Sequence, residues 1–132
     1  MDKDRLALAK YRLEKSLECL NDAKITIQSN LYNVCLNRSY YAIFHAARAI
    51  MALDGADRKK HSGVIAYFQQ NYVKTGVFDK QLSAIMTKAF DFRQESDYED
   101  FFIISHEDVR NQLENAELFY NEIRAYIEKL EN

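Results

Sequence analysis

The sequence contains no proline and no tryptophan, and it has only three glycines in 132 residues. β-Sandwiches and barrels need frequent turns, and turns are rich in glycine and proline. Because 48% of the residues are nevertheless hydrophobic, the chain is expected to build its core from long helices joined by short loops. The length suits one domain, and we predict a single helical domain over residues 1–132.

Two further absences restrict the class of protein. The only cysteines, Cys19 and Cys35, lack the paired spacing of a zinc site or a disulfide framework, which favours a reducing environment. No apolar run approaches the length of about 18 residues that a membrane-spanning helix needs, and the first residues do not resemble a signal peptide. We therefore expect a cytoplasmic protein with no membrane partner.

Acidic residues are missing from one part of the chain. No Asp or Glu occurs in residues 23–53, although the overall composition predicts about five there. The formal net charge of −2 also conceals an asymmetry, because residues 1–75 contain 12 Lys and Arg against 7 Asp and Glu, whereas residues 76–132 contain 6 against 13. Such asymmetry fits a protein that presents one side to a polyanion, and it fits equally well two solvated surfaces that differ by chance.

The apolar residues recur at steps of three and four, which is the period of an amphipathic helix. Long helices are predicted over about residues 4–29 and 31–53, and a shorter one follows residues 62–63 and ends before Gly76. Asp79 is the predicted N-cap of a fourth helix, which fades into an acidic segment at residues 95–100.

The last helix is predicted to follow Ser105, with Asp108 three residues later as in a capping box. Residues 101–104 are apolar and are expected to pack against the helices rather than to form a strand. Short connections bring successive helices back alongside each other. The predicted fold class is therefore all-α, an antiparallel up-down helical bundle of four to five helices.

The second helix carries unusual chemistry. It is apolar or small on three sides, and its strong functional groups are confined to the remaining stripe of Val34, Arg38, Tyr41, His45 and Arg48. A separation of seven residues places Arg38 and His45 about 20° apart around the helix axis and about 10 Å apart along it. Arg binds phosphate oxygens through its planar fork, and His carries a proton near neutral pH, so the pair suits phosphate chemistry. An ordinary solvated or structural role for both residues fits the spacing as well.

A basic loop follows this helix, and its charged residues are Arg58, Lys59, Lys60 and His61. Lys59, Lys60 and His61 are candidates for binding a nucleic acid or a nucleotide, together with Tyr41 and Arg48. For the two lysines the alternative is a solvated loop, for His61 a helix cap or a bond to the bundle, and for Tyr41 packing. Arg93 and Asp97, four residues apart, are expected to form an ion pair.

Several segments together resemble the HEPN domain family, and especially the small, stand-alone HEPN proteins of bacteria and archaea. The segments are NRSYYAIFHAARA at residues 37–49, KHSGVI at 60–65, Phe68, VKTG at 73–76, and Arg93 with Asp97-Tyr98. The resemblance runs in order from about Leu31 to the C-terminus, and the first helix matches only in length and pattern.

The resemblance implies a helical bundle that forms a homodimer and is often encoded beside a minimal nucleotidyltransferase. Many relatives are metal-independent ribonucleases, frequently toxins, with an Arg and a His separated by four to six residues at the dimer interface. Arg38 and His45 match that pattern at its longest gap, and the resemblance therefore implies that they are the catalytic pair, with no metal or other cofactor.

The leading hypothesis is a metal-independent endoribonuclease of toxin-antitoxin type, which cleaves RNA by attack of a ribose 2′-hydroxyl at a dimer-interface site. The alternative is a non-catalytic subunit that binds RNA or a nucleotide, or that regulates a minimal nucleotidyltransferase acting as its antitoxin. A third hypothesis is a purely structural dimer.

Overall fold

The structure, a computed structural model, describes residues 2–131. These residues form five α-helices and no strand, and the predicted all-α bundle is confirmed. The helices are α1 (Lys3–Gln28), α2 (Tyr32–Leu53), α3 (His61–Phe68), α4 (Lys80–Tyr98) and α5 (His106–Glu131), and a π-helical turn (Gln69–Val73) continues α3. Over this range, no helix is both long enough and apolar enough to cross a bilayer.

The polar residues at the helix starts act as the sequence indicated. The Asp79 side chain accepts a hydrogen bond from the Gln81 amide, and the Ser105 hydroxyl accepts one from the Asp108 amide. After the C-terminal end of α2, Gly55 takes the left-handed conformation (φ 68°) that allows a helix to stop there. Local capping therefore sets the end of α2 and the starts of α4 and α5.

Helix α2 lies at the centre of the bundle and packs against each of the other four helices. The lack of acidic residues on α2 allows this, because burying a carboxylate without a partner would be costly. Helix α1 runs antiparallel to α5, as the ion pairs Lys10–Glu131 (3.1 Å) and Lys24–Glu117 (3.5 Å) near their opposite ends show. The largest fully buried side chains include Leu20, Ile43, Ile50, Met51, Phe68, Phe119 and Ile123.

The third helix differs from the prediction in its last turn. It is α-helical only to Phe68 and then widens into the π-helical turn. The wider turn keeps Phe68 and Tyr72 on one face, where their rings pack against Phe78 at centroid distances of 5.5 and 6.1 Å. Asp54 Oδ2 accepts hydrogen bonds from the hydroxyls of Tyr72 and Tyr67, both at 2.7 Å, and so ties this segment to the end of α2.

The apolar segment before α5 forms no strand, as expected, and it packs against the core through two of its four residues. Phe102 and Ile104 rest against the core, whereas Phe101 and Ile103 are 98% and 90% exposed. Exposed and partly buried residues therefore alternate along residues 101–104.

Candidate functional site

The antiparallel pairing of α1 with α2 positions the candidate site. Arg12 Nη1 donates to the carbonyl of Arg48 at 3.0 Å, and the Ser16 hydroxyl, which is fully buried, donates to the carbonyl of Ala42. Further along, Arg38 Nη1 donates to Cys19 Sγ at 3.7 Å. As the residue numbers rise along α1 they fall along α2, so the polar stripe of α2 faces the middle of α1.

Five half-buried side chains that are cationic or can become so meet where these two helices face each other. We call them the basic cluster, which consists of Arg12 and Lys15 from α1 and of Arg38, His45 and Arg48 from α2. Three of the five were recognised in the sequence as candidate site residues. The structure adds the two residues of α1.

His45 occupies the centre of the basic cluster. Its Nδ1 atom is buried and has no hydrogen-bond partner in residues 2–131. Burial lowers the pKa of His45 from 6.5 to about 4, and the positive charges of Arg48, Lys15, Arg38 and Arg12 act in the same direction. His45 is therefore neutral near pH 7 and able to accept a proton, and its lowered pKa makes it a weaker base than a free imidazole.

Arg38 lies on the same face but does not touch His45 by a hydrogen bond. Its Nε and Nη2 atoms both donate to Asn37 Oδ1, at 3.0 and 2.6 Å. The Tyr41 ring stands between the two, 5.4 Å from Arg38 Cζ and 6.0 Å from the His45 ring centroid. No carboxylate within the described part of the chain forms an ion pair with Arg38, so its positive charge is available to an anion.

Arg48 is the partly neutralised member of the basic cluster. Its Nη2 atom is 3.3 Å from Asp57 Oδ1, and Asp57 lies exposed in the loop after α2. Arg48 Nε is buried and forms no hydrogen bond with residues 2–131. The pKa of Asp57 is lowered because the Arg58 amide and the Arg48 side chain donate hydrogen bonds to it, which outweighs the opposing effect of desolvation. Asp57 therefore bounds the positive region at this end.

The second predicted group, in the basic loop, does not join the basic cluster. His61 Nδ1 is 2.8 Å from the Tyr40 hydroxyl, and its ring lies 4.3 Å from that of Phe44. Burial and, second, Arg93 lower the pKa of His61. Of the two roles left open for His61, the structure favours the bond to the bundle.

Lys59 and Lys60 are exposed in the loop before α3. The charges that act on His45 belong to α1 and α2, and neither lysine is among them. A solvated loop is therefore the interpretation that the structure favours for both lysines, and their contact with a nucleic acid stays a prediction.

Helix α4 supports the aromatic side of the site. Arg93 Nε pairs with Asp97 Oδ2 at 3.0 Å, as the spacing predicted. The guanidinium of Arg93 also lies over the rings of Tyr40 (5.4 Å) and Tyr41 (5.7 Å), a contact that the sequence did not indicate. Arg93 thus holds the ring that stands between Arg38 and His45.

Neither a disulfide nor a metal cluster stands out in the described residues. Cys19 and Cys35 are free and buried, and burial raises the pKa of both thiols. Within residues 2–131, no group of three or more His, Cys, Asp and Glu side chains is placed to hold a metal ion.

The sequence is similar to one protein family model and to several known proteins. The sequence matches the family model of the HEPN domain over residues 9–126. It is 33% identical over 123 residues to a UPF0332 protein of Thermotoga maritima, covering 93% of each chain. It is 31% identical over 118 residues to "Putative toxin MJ0605" and 28% identical over 115 residues to "Putative toxin MJ0142", both of Methanocaldococcus jannaschii. These two matches cover 89% and 87% of this chain and 87% and 78% of the relatives. The chain belongs to the HEPN domain family.

Proposed function

We propose that the protein is a metal-independent endoribonuclease of toxin type, with His45 as its base and Arg38 as its phosphate-binding residue. The observation that carries the proposal is the state of His45, which is neutral, lacks a partner at Nδ1 and is surrounded by four cationic side chains. A general base must be unprotonated when the substrate arrives, and surrounding cations attract the phosphate to it. The toxin names of two relatives support the toxin assignment.

In the proposed reaction, His45 takes the proton from a ribose 2′-hydroxyl. The 2′ oxygen forms a bond to the adjacent phosphorus, the bond from phosphorus to the 5′ oxygen breaks, and that oxygen takes a proton from the solvent. The products are a 2′,3′-cyclic phosphate and a 5′-hydroxyl. Arg38 stabilises the extra negative charge on the two non-bridging oxygens, a contribution that is typically about 100-fold or more in rate. The base adds about 100-fold to 10,000-fold.

The position of Arg38 relative to His45 suggests how the site is completed. The two residues are about 10 Å apart along one helix, which is long for two groups that share a phosphate. A homodimer that places Arg38 of one subunit beside His45 of the other removes this difficulty. The proposal therefore includes a dimer with two composite sites. The small residues of α2, such as Ala42, Ala46 and Ala49, are buried within the subunit, so they explain its close packing and are not available to a partner.

The direct test incubates the purified protein with unstructured RNA in EDTA and examines the ends of the products. Cleavage with 2′,3′-cyclic phosphate ends is expected for the native protein and is expected to vanish in His45→Ala and Arg38→Ala. His106→Ala and Arg124→Ala are the matched controls, because both residues lie exposed on α5, away from the basic cluster. Intact RNA across several substrates, with the protein folded and dimeric, would refute the proposal.

Mixing the two inactive variants tests the composite site. A heterodimer of His45→Ala and Arg38→Ala subunits contains one complete site if each site draws one residue from each subunit. Random exchange should then restore about a quarter of the native activity. If each subunit holds its own complete site, the mixture stays inactive.

A non-catalytic role is the second candidate. It is favoured by one observation, namely that the fork of Arg38 is already occupied by Asn37 Oδ1. In that case the basic cluster binds RNA or a nucleotide, or the protein regulates a minimal nucleotidyltransferase. Salt-dependent RNA binding without products, together with a stable nucleotidyltransferase complex in a pull-down, would decide for this role.

A further inference from the structure

We propose that Arg12 and Lys15 of α1 complete a phosphate-binding site around His45, so that α1 forms half of the surface on which RNA lies. This inference rests on the proposed function, because it names the other half of the same site. It goes beyond the Arg and His of α2 that the family resemblance implies.

Like charges from α1 and α2 converge in the basic cluster. Arg12 is held beside α2 by its hydrogen bond to the backbone carbonyl of Arg48 (3.0 Å), and the charge of Arg48 is near enough to act on the Arg12 guanidinium. The pKa of Arg12 is lowered, first by burial and then by Arg48. Packing of two long helices thus holds cations together against their repulsion, and a bound anion would offset that cost.

The centre of the basic cluster, around His45, lacks compensating carboxylates in the described residues. The charges that act most strongly on His45 are all positive, and Lys15 is one of them. Lys15 forms no ion pair within residues 2–131, and its Nζ atom lies 5.2 Å above the ring of Tyr11. Lys15 is half-buried, and its ammonium group is free to bind an anion.

Carboxylates limit the positive region at both of its ends. Asp57 lies at the end marked by Arg48. At the other end, Glu18 and Asp22 act on Cys19, next to Arg38. Carboxylates at both ends repel further phosphates, so the positive region is confined to the stretch of α2 between Arg38 and Arg48, about 15 Å long.

Two buried polar atoms in the same region lack partners. They are His45 Nδ1 and Arg48 Nε, which lie three residues apart on α2. Unpaired buried polar atoms are few in native proteins, and each one calls for an explanation such as a ligand. A phosphate bound beside these atoms supplies negative charge to their surroundings. By linkage, its binding should also raise the pKa of His45, because it offsets the surrounding cations.

The test measures binding of a short oligodeoxythymidine to the full chain, since a strand without 2′-hydroxyls binds but is not cleaved. Lys15→Gln should weaken binding several-fold and reduce the slope of log affinity against log salt by about one. Lys10→Gln is the matched control on the same helix, because Lys10 pairs with Glu131 on the side that faces α5. The control should bind as the native chain does.

A second measurement follows the His45 ring by NMR during a pH titration with and without the oligonucleotide. The pKa of His45 should rise when the oligonucleotide is bound, and it should rise less in Lys15→Gln.

Equal affinity and equal salt slope for the native chain and Lys15→Gln would overturn the inference, and so would no binding by the native chain. If RNA is cleaved but Lys15→Gln behaves as native, only the inference fails. If binding depends on Lys15 but RNA stays intact, the proposed ribonuclease fails and the phosphate site stands.

Discussion

The neutral state of His45 makes the stability of the fold depend on pH. The pKa of His45 is about 4 in the folded chain against 6.5 for an unperturbed imidazole. The unfolded chain therefore binds a proton as the pH falls below about 6.5, whereas the folded chain does not until about pH 4. The free energy of unfolding must decrease over that window, and the stabilisation by a neutral His45 is complete only above it.

The size of the decrease follows from the two pKa values. The full difference corresponds to about 3 kcal/mol, and about 2 kcal/mol of it is lost between pH 7 and pH 5. Solvent screens part of this effect because His45 is only half-buried, so we expect a loss of about 1 kcal/mol. Carboxylates whose pKa is lowered, such as Asp57, affect stability at lower pH and leave this window to the histidines.

The assay is urea unfolding followed by circular dichroism at about pH 7 and about pH 5, for the native chain and His45→Gln. Both proteins keep His61, whose lowered pKa acts in the same direction, so the difference between them isolates His45. The native chain should lose about 1 kcal/mol more than the variant does. Equal losses in the two proteins would refute the conclusion that burial and the basic cluster together hold His45 neutral.

Three further predictions concern the fold that holds the site. Ser16→Ala removes the hydrogen bond to the carbonyl of Ala42 and should lower the free energy of unfolding by about 1 kcal/mol in urea unfolding. Asp54→Ala leaves the buried hydroxyl of Tyr72 without an acceptor and should cost about 2 kcal/mol, part of which Tyr72→Phe should restore in the same background. Gly76→Ala should cost about 1 kcal/mol through its φ of 82° alone, because an added Cβ meets no atom within 4 Å. A change of less than a few tenths of a kcal/mol in any of the three would contradict its stated cause.

The sequence predicts most of the fold because its signals are local. The apolar period of three and four, the caps at Asp79 and Ser105, and Gly55 after α2 all act within a few residues of themselves. The π-helical turn after Phe68 was not predictable in this way. It depends on the packing of Tyr72 against Phe78 and on its bond to Asp54, and these contacts are made between different elements.

Three of the five side chains of the basic cluster could be predicted from the sequence for the same reason. Arg38, His45 and Arg48 share one face of one helix, which the sequence shows directly. Arg12 and Lys15 belong to another helix, and only the register between α1 and α2 brings them to His45. Their spacing on one face of α1 was a signal, but it carries meaning only once an antiparallel partner is known.

The basic loop lies near the site in the sequence but apart from the basic cluster in the structure. Lys59, Lys60 and His61 follow directly after the α2 site in the sequence, and their charge suggested that they would belong to it. In the structure His61 turns inward to Tyr40, and the two lysines face solvent. Closeness along the chain did not become closeness to His45, because the Phe44 and Tyr41 rings lie between His61 and the basic cluster.

The most direct test of the proposed chemistry uses an RNA that the native protein cleaves and replaces one nucleotide, on the 5′ side of the cleaved bond, by its 2′-deoxy form. The proposed reaction needs that single hydroxyl as its nucleophile and His45 to take its proton. Cleavage at that bond should therefore be lost while cleavage at other bonds and overall binding stay unchanged. Cleavage that continues at the modified bond would contradict the mechanism.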